Sequence, residues 1–121
     1  GVLDVICLHD EFIKPPGPKM VVCVEPTMGL FYRINTEPKW QTPVLVQKIY
    51  NPFLHHDSHI ECGSPLELDD YLIEESIAGG GGCGTVHSEC VPRLCVAVQQ
   101  SRNIRETDRI AILIALQCPG I

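Results

Sequence analysis

The sequence has no long apolar run. Its longest, residues 110–116, falls well short of the ~20 residues that a membrane-spanning helix needs, so no membrane partner is expected. It is also short of positive charge: nine Lys and Arg stand against 15 Asp and Glu, for a formal net charge of -6. That balance argues against a protein that coats nucleic acid non-specifically, because phosphate binding draws on an excess of Lys and Arg. A local basic cluster remains compatible with it. No basic segment leads into an apolar stretch and a small-residue cleavage site, which predicts a cytoplasmic protein. Internal repeats and a long polar tail are absent. So are paired C-x-x-C motifs: the seven cysteines are an odd set scattered through apolar runs, and read as buried reduced thiols rather than a disulfide framework.

What is present suits one domain with one modest core, since 121 residues falls within the usual range of domain size. The chain is organised around residues 18–36. Met20-Val21-Val22-Cys23-Val24 and Gly29-Leu30-Phe31-Tyr32-Arg33-Ile34 are two β-branched and aromatic runs, with turn chemistry at 25–29 between them. Such a hairpin is marginal alone and demands further strands or a covering helix. A strand at 2–8 precedes it, across an irregular loop at 14–19 that holds three prolines. Strands at 44–50 and 58–62 follow, the second recognised by its alternation.

From Ser64 the period becomes helical. Ser64-Pro65-Leu66-Glu67 has the form of a capping box and predicts a helix over 65–77, stopped by the glycines of 79–84. A second helix is expected over 90–99, with Pro92 in its first turn and Leu94, Cys95 and Val98 on one face. Asn103 to Glu106 resembles another capping box, opening a last helix that ends near Gln117 before Pro119-Gly120. The expected fold class is α+β: a small, strongly bent antiparallel barrel-like sheet of about five strands, with about three helices in the C-terminal half.

This order of elements, with Lys19 to Val24, Ile34-Asn35-Thr36, His56 to Cys62 and Gly84-Thr85-Val86, resembles the PemK/MazF family of toxin endoribonucleases. The resemblance implies an SH3-like barrel that pairs as a homodimer, cleaves single-stranded RNA without a metal or other cofactor, and is held in check by an antitoxin protein. It implies catalytic roles for Lys19 and Thr36, with His9 as a further candidate. Lys14, Arg33, Lys39 and Trp40 are the expected RNA-binding residues. The family usually places an arginine in the loop where Lys19 stands here, and a lysine supplies a point charge in place of a planar fork.

Metal-free RNA cleavage needs a base near the 2′-oxygen, an acid near the 5′-oxygen and positive charge around the phosphorane. His9, Lys19 and Thr36 at one rim of the barrel would meet that need. The plainer alternative makes Lys19 a solvated loop residue, Thr36 a turn residue and His9 a polar strand end. Two other motifs invite chemistry. His55, His56, His59 and Cys62, with Cys83, His87 and Cys90, contain enough nitrogen and sulfur for zinc, but not at a paired spacing. The glycine run at 79–84 lacks the GxxxxGK[ST] form of a phosphate cradle and reads as a flexible connector. Arg102, Arg105 and Arg109 read as a solvated face with local ion pairs.

Overall fold

The computed structural model describes residues 1–11, 13–38 and 42–120. It is α+β, with seven strands and three α-helices among those residues: β1 (Asp4–Asp10), β2 (Gly17–Glu25), β3 (Leu30–Asn35), β4 (Pro43–Val46), β5 (Ser58–Glu61), β6 (Leu66–Glu67), α1 (Asp70–Ala78), β7 (Gly82–Thr85), α2 (Val91–Gln100) and α3 (Glu106–Ala115). Every strand pairing is antiparallel, and the sheet runs β4-β5-β3-β2-β1-β7.

β3 is the axis of this curled half-barrel. One of its edges pairs with β2; the other takes β6 at Leu30 and Phe31, then β5 at Ile34 and Asn35. Pairing shifts register between Cys23 and Glu25 and again between Val5 and Ile6, and such irregularities bend strands. The turn joining β2 to β3 is built by Glu25, whose buried carboxylate accepts from the backbone N–H groups of Thr27 and Met28. Gly29 closes it at φ +71°, where an added Cβ would lie 2.2 Å from the carbonyl oxygen of Leu68.

Alternation along the strands sends side chains to two faces. Val5, Val22, Val24, Leu30, Tyr32, Ile34, Val44, Val46 and Ile60 meet Leu94, Val98, Ile112 and Leu113 of α2 and α3 in the main core. Ile6, Val21, Cys23 and Phe31 form a smaller cluster on the other face, covered by Leu66, Leu68 and Ile73. Two helices therefore back one face of the sheet, while α1 and β6 cover part of the other.

Several expectations need correction. The chain from Ser64 does not enter a helix directly, because Leu66 and Glu67 pair with Phe31 and Leu30 as a short strand. The helix begins at Asp70, with the Asp69 carboxylate accepting from Leu72 N–H at 2.7 Å as the N-cap. The glycine run is no loose connector. Gly79 caps α1, and residues from Gly82 pair with β1 as an edge strand. Residues 47–51 turn instead of prolonging β4, with Tyr50 N–H bonded to Gln47 O and Asn51 N–H to Lys48 O. β2 reaches back through Lys19 to Gly17, so the loop lysine is a strand residue.

The helical reading at 90–99 matches α2 closely, and Leu94, Cys95 and Val98 are buried as expected. Asn103 does not cap α3, whose N-cap is Arg105 with no side-chain cap bond. Arg109 is not simply solvated: besides pairing with Glu106, it donates to the carbonyls of Val98, Gln99 and Ser101, closing the C-terminal end of α2 with a cation. The thiols are not all reduced, because Cys95 on α2 and Cys118 beyond α3 form a disulfide.

Candidate functional site

Beyond the small apolar cluster, the face shared by Ile6, Val21 and Phe31 turns polar. Leu8 pairs with Lys19 and Asp10 with Gly17, so Asp10 and Lys19 point to that face; Val21 pairs with Arg33, placing Arg33 there too. Asn35 pairs with His59, and alternation brings Glu61 to the same side. A row of charged and polar groups thus crosses β1, β2, β3 and β5.

Its members are bonded to one another. Arg33 Nε donates to Asp10 Oδ2 at 2.6 Å and Nη2 to Oδ1 at 3.4 Å, joining β3 to a carboxylate that is only 4% exposed. Asn35 Nδ2 donates to Glu61 Oε2 at 2.8 Å. A charge-assisted pair of this kind fixes side-chain direction more than it adds stability.

Where β3 ends, Thr36 sits between two histidines. His59 Nδ1 lies 3.2 Å from the Thr36 carbonyl oxygen, which can only accept, so the proton is on Nδ1 and Nε2 carries the lone pair in the neutral ring. Thr36 Oγ1 lies 3.3 Å from His56 Nε2. The other nitrogen of that ring, Nδ1, is 3.2 Å from Asp57 O and 3.3 Å from Ser58 Oγ, and the Ser58 hydroxyl itself donates to His56 O at 3.1 Å. His56 Nδ1 is therefore the donor, and in the neutral ring Nε2 accepts from the Thr36 hydroxyl. A hydroxyl and a group orienting the base each lie in hydrogen-bond reach of the base His56, with Thr36 and His56 exposed to solvent and Ser58 buried.

The residues expected from sequence divide accordingly. Lys19 is half-buried on the face of Asp10 and Arg33; two residues beyond the Val21–Arg33 pair, the strands carry Lys19 and Asn35, with Thr36 next. Arg33 is held by Asp10. His9 is exposed on the opposite face of β1 from Asp10 and pairs with Glu11 at 3.2 Å, away from this row. Lys14 is exposed in the turn before β2. Lys39 and Trp40 lie outside the described residues. Asp10, Asn35 and Glu61 have no role expected from the sequence, and His56 and His59 enter there only within the stretch that carries the resemblance and as candidate metal ligands; the period-two spacing of Arg33 with Asn35 and of His59 with Glu61 is the signal that places Asn35 and Glu61 on this face.

Among the described residues, no three His, Cys, Asp or Glu side chains are grouped to hold a metal ion. Cys62 and Cys90 are buried in the main core, where desolvation pushes both thiols up, Cys90 to about 11. His87 instead caps the 3-10 turn Ser88–Cys90, its Nδ1 accepting from Glu89 N–H. Among the described residues no helix is long and apolar enough to cross a membrane. No protein-family model, curated protein or solved structure matches the chain.

Proposed function

We propose that this protein is a metal-independent endoribonuclease acting on single-stranded RNA, with its chemistry at the rim formed by Thr36, His56 and His59. The observation that carries the proposal is the pair of imidazoles, both bonded to Thr36, with His56 exposed and His59 half-buried. His59 Nε2 takes the proton from the 2′-hydroxyl as that oxygen attacks phosphorus. The P–O5′ bond breaks, and protonated His56 gives its Nε2 proton to the departing O5′. The Thr36 hydroxyl steadies a phosphoryl oxygen, and Lys19 adds positive charge from the neighbouring strand. The products are a 2′,3′-cyclic phosphate and a 5′-hydroxyl. The resemblance to PemK/MazF proteins supports reading the chain as the toxin of a toxin-antitoxin pair, working as a homodimer restrained by an antitoxin protein.

One observation favours a second reading, a non-catalytic SH3-like binding module. Asp10 neutralises Arg33 and Glu61 lines the same face, so the row offers an approaching phosphate little net positive charge. The two separate on incubation of the protein with a long single-stranded RNA in EDTA. Fragments ending in cyclic phosphate support the nuclease; intact RNA at micromolar protein supports the module.

A further inference from the structure

The row ends in a small cavity of about 160 Å³ lined by Phe31, Arg33, Glu61, Ser64 and Leu66. It opens where the chain leaves β5 and rejoins the same edge of β3 as β6. Phe31 and Leu66 are directly paired across β3 and β6 and supply apolar walls. Glu61 supplies an acceptor-only carboxylate, Arg33 a donor-only guanidinium, and Ser64 a hydroxyl that serves either way. The volume is below the roughly 300 Å³ at which pockets for whole drug-sized ligands begin, so the cavity suits a single ring system.

We propose that this cavity holds one guanine base of a nucleotide, with the Glu61 carboxylate facing the N1–H and N2–H donors and Arg33 facing O6. The proposal rests on the nuclease reading for RNA as the natural ligand. A carboxylate repels phosphate, so the part of a nucleotide that enters must present donors. Guanine alone among the four bases offers two adjacent donors on its pairing edge, beside the acceptor O6. Adenine and cytosine would set a ring-nitrogen lone pair against the carboxylate, and uracil flanks its single donor with two carbonyls. Asn35 already occupies one lone pair of Glu61 Oε2 and thereby orients the carboxylate, leaving Oε1 and the second lone pair of Oε2 for the ligand's two donors. Asp10 engages Arg33 through Nε and Nη2, leaving Nη1 outside that pair.

The test is titration of the full chain with the 5′-monophosphates of guanosine, inosine, adenosine, cytidine and uridine, followed by amide shifts. The shared phosphate cancels in the comparison. Guanosine monophosphate is expected to bind at least tenfold tighter than the other three standard nucleotides and to shift residues 31, 33, 61, 64 and 66; inosine, lacking the N2 amine, falls between. Glu61→Gln keeps an acceptor for Asn35 but turns a donor toward guanine, and abolishes the preference. If that variant is poorly folded, the guanosine-to-inosine ratio on the unaltered protein decides. Equal binding of all nucleotides, or shifts elsewhere, overturns the proposal. Cleavage of a guanine-free RNA without any guanine preference in binding refutes the cavity assignment alone, whereas guanine binding without cleavage of any RNA refutes the nuclease alone.

Discussion

Arg33 on β3 reaches across β2 to donate two hydrogen bonds to Asp10 on β1, and that carboxylate is nearly inaccessible to solvent. Removing its charge leaves a half-buried guanidinium with weaker partners. Asp10→Asn is expected to cost roughly 2–3 kcal/mol, read as a lower denaturant midpoint at unchanged slope. Under the nuclease reading it also releases Arg33 to phosphate, so RNA binding tightens and its salt dependence steepens by about one contact. A variant as stable as the parent, with an unaltered salt slope, would contradict both statements.

Gly29→Ala provides a backbone test of how α1 is seated. At φ +71° with its added Cβ 2.2 Å from Leu68 O, alanine cannot be accommodated unless β6 moves off β3. A loss of roughly 3 kcal/mol is expected, with faster amide exchange at Leu68, whose N–H bonds Gly29 O.

The Cys95–Cys118 disulfide spans a sequence separation of 23 and ties α2 to the end of α3. Replacing both cysteines by alanine is expected to lower stability by about 3 kcal/mol, measured by urea unfolding of the two forms without reductant. Identical midpoints would show that the crosslink is not present in the folded protein.

Burial raises Cys62 and Cys90 above the ordinary thiol value, Cys90 to about 11 against 9.0. The folded state thus favours the neutral thiol. Its contribution is complete below pH 9 and fades as pH rises through 11. Melting temperature should decline over that interval, less steeply in Cys90→Ala than in the parent. At pH 8, iodoacetamide should reach the partly exposed Cys7 and Cys83 before Cys23, Cys62 or Cys90.

The hairpin at 20–34, the alternation of 58–62 and the apolar face of α2 were all readable because each is a local pattern enforced by the same core. The strand at Leu66 was not, since it exists only through pairing with Phe31, which outweighs the capping-box spacing. For the same reason a glycine run that looks flexible in isolation is recruited by β1. At the site, Thr36 and Lys19 could be named only through the resemblance to PemK/MazF proteins. Their surroundings could not, because Asp10, Glu61, His56 and His59 arrive from other strands and turns, and only the register of β3 with β5 reveals which side chains share a face.

The most direct test of the central claim is the single-turnover rate of RNA cleavage in EDTA for the parent, Thr36→Ala, His56→Ala and His59→Ala. Losses of about 10²-fold or more for each histidine, with folding intact, are expected of a proton-transferring pair. Undiminished cleavage by both histidine variants, or no cleavage by the parent, would contradict it.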